Sequence, residues 1–376
     1  MKKFSKVLIL MLALVMLFTM TACNTAKAPV KEPEVKSAFA AVAKKDIKVG
    51  MIYIGSATDK GWTYSHEQGV LAMQKTLELK DEQIIRKEFV TEDSACETAM
   101  RELIEAGCQV IFGNSWGYMD YMAELATEYP KVIFSHCSGY KNNGVNFNNY
   151  FGAINDARYL SGIAAGLKTQ TNKIGYVGAF KNPEVMSGCD AFALGVMSVN
   201  PQAKIYFVET QTWYNPDLEK SAAISLLDKG CDVIAQHQDT TMAQIAAEER
   251  GVWGIGYHVD MTAEAPKAEL TAPVWDWSGF YTDTVSKIIA GTWVCENYYG
   301  TLKDGLINLA PLTVNCAAGT AEKIDKAKAA ILDGSLVVFS GPVTDNTGKE
   351  VIAKGKTYLR ADVDAINWFA ANVVVE

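Results

Sequence analysis

The chain holds four histidines, His66, His136, His237 and His258, and each falls at the end of a predicted strand. Imidazole can ligate a metal, carry a proton or donate a hydrogen bond near neutral pH. No pair has i, i+4 spacing and no HExxH occurs. Metal capture is therefore the lesser reading, and hydrogen bonding to a polar ligand or to a neighbouring group the greater. Carboxylates gather at the same places, as Asp59, Glu67, Asp120, Glu184, Asp239, Asp260 and Asp276, but their spacing selects no acid/base pair. No serine or cysteine sits in a recognisable activated setting, and neither a GxGxxG fingerprint nor a P-loop is present. The sequence offers no cofactor motif and no catalytic constellation.

Rings are the stronger signal. The stretch GWTYSHEQG (residues 61–69) crowds Trp62, Tyr64, His66 and Glu67 into the junction between a strand and a helix. Trp116, Tyr118, Tyr140, Trp213, Tyr214, Tyr257, Trp275 and Trp277 lie in or beside other strand-end loops. Taken singly, each ring is as well explained by packing between lobes. A set of them facing an open cleft would stay exposed unless a flat ligand with polar edges filled the gap.

The elements that must position these groups occur twice. IKVGMIYIG (47–55) is matched by NKIGYVGAF (172–180), LIEAGCQVIFGNS (103–115) by LLDKGCDVIAQHQ (226–238), and KVIFSHCSG (131–139) by GVWGIGYHVD (251–260). The nearly constant offset identifies an internal duplication. Within each copy, apolar β-branched runs alternate with amphipathic helical patterns that stop at glycine. That order predicts an α/β fold of two Rossmann-like lobes, each a parallel sheet covered by helices, with ligand in the cleft beyond the carboxyl ends of the strands. We expect residues 46–150 plus about 275–335 in lobe 1, and residues 151–274 plus about 336–376 in lobe 2. Crossings are expected near 148–153, 271–275 and 339–344, acting as a hinge.

The amino terminus sets the compartment. Lys2, Lys3 and Lys6 precede an apolar run from Val7 to Phe18, followed by Met20, Thr21, Ala22 and Cys23. This describes a secretory signal over residues 1–22 with a lipobox-like cleavage site that leaves Cys23 to carry lipid. Pro29, Pro33 and interspersed charge predict a flexible tether over residues 23–45. Removing the signal takes the formal charge from −8 to −11. An acidic chain without a basic run argues against nucleic acid as partner. The other cysteines, an odd and scattered set without CxxC, form neither a disulfide framework nor a zinc site.

IGYVGAFKNPEVMSGCDAFALGVMSVNP (174–201), TWYNPDLEKSAAISLLDKGCDVIAQHQD (212–239) and NNYFGAINDARYLSGIAAGL (148–167) together resemble the basic membrane protein family, solute-binding lipoproteins of the purine-nucleoside receptor group of ABC importers. The resemblance covers nearly everything after the tether. It implies a type I periplasmic-binding-protein fold that closes on a purine, with one ring from each lobe stacking on the base. The family's first loop reads Asp-x-x-Phe-Asn; here Asp59 is followed by Trp62 and Thr63, so Trp62 stands in the place of the stacking Phe. The family's ribose-gripping Gly-Val-Asp becomes Gly256-Tyr257-His258. The GWTYSH form is similar to a subgroup for which a free nucleobase such as adenine is implied.

The reading is thus a monomeric, lipid-anchored and non-enzymatic receptor outside the cytoplasm, handing a purine to ABC permease and ATPase subunits. Trp62 and either Trp213 or Tyr214 are expected to stack. Asp59, Asn114, Asp239 and Asp276 are expected at the ligand's edges, with Tyr64, His66, Trp116, Glu184, His237, His258 and Asp260 completing the site; no metal is expected. The rivals are a secreted nucleoside or glycoside hydrolase and a sensor subunit for a membrane receptor. Cys23→Ala is expected to move the protein into the soluble fraction, because acyl chains are the membrane attachment read here. Retention of that variant with the membranes contradicts the lipoprotein reading.

Overall fold

A computed structural model describes residues 37–376; the predicted signal, Cys23 and the tether up to residue 36 lie outside the described residues. Runs such as Val49-Gly50-Met51-Ile52 are buried at every position, as strands covered on both faces must be. They build two parallel sheets. The first orders its strands β2 (Ile84–Lys87), β1 (Val49–Ile52), β3 (Val110–Gly113), β4 (Ile133–Cys137) and β5 (Phe147–Gly152). The second repeats that order with β7 (Lys204–Glu209), β6 (Lys173–Gly178), β8 (Val233–His237), β9 (Trp253–Ile255) and β10 (Glu269–Thr271). Register repeats as well: Val49 lies between Ile84 and Val110, and Ile174 between Ile205 and Val233. The duplicated sequence is a duplicated five-strand core.

Each sheet gains a sixth strand from the second half of the chain, on opposite edges. β12 (Tyr298–Gly300) pairs with β5, and β14 (Val373–Val375) pairs with β7. Between the lobes, β11 (Pro273–Trp275) runs antiparallel to β13 (Ile307–Leu309). Two of the expected crossings, at 148–153 and 271–275, fall where the chain changes lobe. The third does not. The chain returns to lobe 2 at β13, and Val338, Phe339 and Val343 are buried in the lobe 2 core. Lobe 1 therefore ends near residue 309 instead of 335. The helix at Thr320–Leu332 is amphipathic, and its apolar face (Ile324, Ala327, Ile331) seats on lobe 2. Periodicity identifies such a helix but not the lobe it covers.

The tether also ends early. Phe39 packs edge-on against Trp293 at 5.4 Å, Val42 N–H donates to the Ile289 carbonyl at 3.1 Å, and Gln83 Nε2 donates to the Lys44 carbonyl at 2.8 Å. Residues 37–45 are thus docked on lobe 1. The prolines and all the charges but Lys44 and Lys45 that made the whole segment read as spacer lie before the apolar FAAVA at 39–43.

Helix starts aim the cleft residues. The helices at Pro183–Val199 and Pro216–Asp228 each open with Asn-Pro. Asn182 and Asn215 accept from the backbone N–H of Val185 and Leu218 at 3.0 and 3.1 Å, and proline occupies the first turn, where no N–H is needed. Among the described residues no helix is long and apolar enough to cross a membrane.

Two close approaches require glycine. A Cβ on Gly195 would lie 2.0 Å from the Tyr159 carbonyl, where the helices at Ile154–Lys168 and Pro183–Val199 meet backbone to backbone. A Cβ on Gly61, in lobe 1, would lie 2.1 Å from the Asp239 carbonyl of lobe 2, so the lobes touch main chain to main chain. Gly195→Ala is expected to destabilise by about 1–3 kcal/mol through overpacking, read as a lower denaturant midpoint with unchanged slope. Gly61→Ala is expected to leave that midpoint nearly unchanged and instead to favour the open form, seen as a larger radius of gyration in solution scattering. A scattering curve identical to wild type rules out this contact as the closing point.

Candidate ligand-binding cleft

Trp62 opens α1 (Trp62–Leu77) and is 7% exposed. Its indole N–H donates to the Asn114 carbonyl at 2.6 Å, and Asn114 Oδ1 in turn accepts from Ile54 N–H at 3.0 Å. One helical turn on, the His66 ring meets Trp62 edge-on at 4.3 Å and stacks on Trp277 at 4.5 Å, while Nδ1 bonds the Tyr281 hydroxyl at 2.7 Å. The floor under Trp62 is thus a packed aromatic layer. His66 belongs to this layer and does not line the cleft.

The cavity between the lobes is lined by Trp62, Asn114, Ser115, Trp116 and Ser138 on one side and by Glu184, Trp213, His237, Asp239 and His258 on the other. Trp116 and Trp213 also border the outer groove, so these two rings stand at the mouth. Asn114 Nδ2, Glu184 Oε2, His237 Nδ1, Asp239 Oδ2 and His258 Nε2 are buried without a hydrogen-bond partner among the described residues. Such groups are expensive to leave unmade, about 1–3 kcal/mol each.

Burial also sets their charge. It pushes Glu184 up to about 7 and raises Asp239 well above the usual carboxylate range, the latter helped by Asp59, Glu219 and Glu184 nearby. His237 and His258 are held well below the usual imidazole range, first by burial and then by the charge of Arg158 and, for His258, by His237. Each imidazole faces a carboxyl at 3.7 Å: His237 Nε2 to Glu184 Oε1, and His258 Nε2 to Asp239 Oδ1. The cavity is a set of mostly neutral hydrogen-bonding edges between indoles. It suits a flat, polar and uncharged molecule. Among the described residues no group of three or more His, Cys, Asp or Glu is placed to hold a metal.

Several expected site residues do other work. Asp59 accepts from the backbone N–H of Gly61, Thr63 and Tyr64 at 2.8, 3.0 and 2.9 Å, and so shapes the turn that presents Trp62. Tyr64 carries the Lys60 ammonium over its ring at 4.6 Å. Tyr214 packs on Phe89 at 5.9 Å, a contact from lobe 2 to lobe 1 outside the cavity. Asp260 and Asp276 are exposed turn residues that accept from Thr262 and Ser278 N–H at 2.9 and 3.0 Å. The three aspartates share a cause, since a loop carboxylate often serves its own backbone, whereas Tyr64 and Tyr214 are engaged by other side chains outside the cavity.

Ser115 and Ser138 line the cavity without having been singled out, although their strand-end segments were. Contrary to the expectation that no GxSxG elbow is present and no serine sits in a recognisable activated setting, Ser115 is the centre of Gly113-Asn114-Ser115-Trp116-Gly117, which has the nucleophile-elbow spelling between a strand and a helix. Its geometry is not that of a nucleophile. Ser115 has extended backbone angles, and Oγ donates to Glu92 Oε1 at 2.6 Å. His136, the imidazole beside it, bonds the Ser115 carbonyl at 2.8 Å, not the hydroxyl. Arg158, wholly buried behind the cavity, was missed because it sits inside a helical pattern.

Comparison with known proteins agrees with this architecture. The family model described as ABC transporter substrate-binding protein PnrA-like matches residues 46–338. A purine-binding protein of Brucella abortus (strain 2308) is 34% identical over 334 residues, spanning 89% of this chain and 95% of the relative. TsgA13 of Haloferax volcanii, whose name assigns it to glucose binding for an ABC transporter, is 32% identical over 306 residues, 81% of this chain and 77% of the relative. Among solved structures, a solute-binding protein of an ABC transporter system from Aeropyrum pernix K1 superposes with TM-score 0.70 at 14% identity, over 85% of this chain and 96% of that one. That last likeness speaks for the fold: two lobes of the type I periplasmic-binding-protein class. With the family model spanning most of its length, the chain belongs to the Bmp family of PnrA-like ABC transporter substrate-binding proteins.

Proposed function

We propose that this substrate-binding protein captures a purine, as the free base, between its lobes and delivers it to the permease of an ABC importer, held at the membrane by lipid on Cys23. One observation carries the reading: three indoles line a cavity between the lobes whose unpartnered edge atoms are mostly neutral. Rings supply the faces on which a base stacks, at roughly 1–3 kcal/mol per base. Asn114 Nδ2 is a donor for a ring nitrogen, and the Glu184 and Asp239 carboxyls accept from an exocyclic amine or from the ring N–H that a nucleoside lacks. His258 stands where the family's ribose-gripping Asp is expected, so sugar hydroxyls entering the cleft would be desolvated without that partner. The Brucella relative, named for purine binding, supports the same ligand class.

A second reading is favoured by the Haloferax relative, named for glucose binding. Indoles flanked by carboxyls also suit a hexose. Calorimetry on the mature chain with adenine, hypoxanthine, adenosine and glucose separates the two, and assaying adenosine for released base at the same time tests the hydrolase rival. We expect adenine to bind at least tenfold more tightly than adenosine, with no heat from glucose and no released base. Trp62→Ala is expected to weaken all purines alike, by roughly 1–3 kcal/mol. Asp239→Asn is expected to change their ranking, because it alters one edge and leaves the stacking faces alone. Adenosine binding tenfold more tightly than adenine overturns the free-base reading, and glucose binding in place of either overturns the purine reading.

A further inference from the structure

Arg158 is among the largest fully buried side chains, and it has no obvious task. Its Nη1 donates to the Gln236 carbonyl at 2.7 Å, and its guanidinium lies 3.3 Å from the centre of the Tyr257 ring. Nε and Nη2 have no partner among the described residues, and no carboxylate there lies within ion-pair distance of it. A buried cation left unpaired is costly, so the fold keeps it against a strong bias. Gln236 precedes the cleft residue His237 in β8, and Tyr257 precedes His258. The guanidinium is thus fastened directly behind the two imidazoles of the cavity.

Gly188 shows which side of His237 it faces. A Cβ at that position would lie 3.1 Å from His237 Nδ1 and 3.6 Å from Arg158 Nε, so both atoms border one small space that any other side chain would fill. The opposite ring nitrogen, Nε2, faces Glu184 Oε1 at 3.7 Å. Its aromatic neighbours are Trp213 at 6.3 Å, Tyr257 at 4.8 Å and His258 at 6.5 Å. The groups facing His237 that can carry charge are therefore Arg158 on the Nδ1 side, Glu184 on the Nε2 side, and Tyr257 and His258 beside it. A cation opposes a proton on the nitrogen nearest to it and favours a lone pair there.

We propose that Arg158 is a positioning residue of the cleft, holding His237 as the neutral tautomer that carries its proton on Nε2, towards Glu184 and the cavity. His237 then donates towards Glu184 Oε1 and leaves Oε2 to the ligand, so a residue that never touches the ligand decides which hydrogen-bond pattern the ligand meets. This deepens the purine reading and rests on it only for its consequence in binding; the tautomer itself is independent of the ligand. Burial alone keeps the ring neutral but does not choose between its nitrogens.

Nitrogen-15 NMR of histidine-labelled mature protein tests this, with His237 assigned by the loss of its signals in His237→Gln. In wild type we expect a neutral His237 protonated on Nε2 from pH 5 to 8, and in Arg158→Lys the same. In Arg158→Met we expect both tautomers, with protonation of His237 titrating about one pH unit higher or more than in wild type. A general loss of packing would lower adenine affinity without exchanging one ring nitrogen for the other as the proton's site. A wild-type His237 protonated on Nδ1 overturns the proposal. So does a folded Arg158→Met with the wild-type tautomer and the wild-type titration. If Arg158→Met does not fold, the tautomers of wild type and Arg158→Lys decide: Nε2–H in both upholds the assignment, and Nδ1–H in either overturns it. The tautomer and titration readouts use no ligand, so a failure of the purine reading is seen separately, as absence of adenine binding in wild type.

Discussion

Closing the cleft strips water from polar groups of both lobes, and the described protein supplies no replacement. That constraint organises the molecule. Asn114, Glu184, His237, Asp239 and His258 each keep a buried polar atom unpaired among the described residues. Any one of them left so in a stable core would be a defect. Here they converge on one small space between indoles, so closure without a ligand is opposed and closure around a matching ligand is favoured. Binding and domain motion are then a single equilibrium, with the ligand favouring the closed state through contacts made only there.

The scaffold makes that convergence possible by repetition. Two copies of a five-strand core present their carboxyl ends to each other, and in each copy a helix begins where its strand ends. Trp62 is the first residue of one such helix and Glu184 lies in the first turn of another. Asp59 and Asn182 accept from backbone N–H groups at these two helix starts, so the directions of Trp62 and Glu184 are set before any ligand arrives. Strain concentrates at the same edges: Lys60, Ser138, Gln211 and His258 all have positive φ without being glycine. Backbone angles of that kind persist only where surrounding contacts over-determine them.

What could be read from the sequence follows from what local pattern encodes. The alternation of strand and helix, the duplication and the position of the cleft are matters of periodicity and of the rule that ligands meet strand carboxyl ends, and the structure agrees with them. Trp62, Trp116, Trp213, Glu184, Asn114, His237, Asp239 and His258 were legible because type and location coincided. Asp59, Asp260 and Asp276 failed because a loop carboxylate that caps its own backbone looks the same in sequence as one that faces a ligand. The third crossing failed for a related reason. An amphipathic helix states that it covers something, but only tertiary structure says which lobe. Arg158 carried no signal at all: an arginine within a helical pattern reads as a solvated charge, and its burial arises from the close contact of two glycine-bearing helices.

A receptor that must give up its ligand has reason to hold it with neutral groups. Carboxylates left ionised in this cavity would demand a cationic ligand, and reopening would then have to separate a desolvated ion pair, which is strongly disfavoured. Raised carboxyl and lowered imidazole affinities for the proton produce the opposite case. Each hydrogen bond made in the closed cavity is exchanged for one with water on opening, at a net difference of about 0.5–1.5 kcal/mol per bond. Affinity then comes mainly from the rings and from relief of the unpaired edges, both of which scale with closure itself. The lobe contact at Gly61, close enough to exclude any side chain, ties those gains to one geometry: the cavity is complete only when the main chains of the two lobes meet.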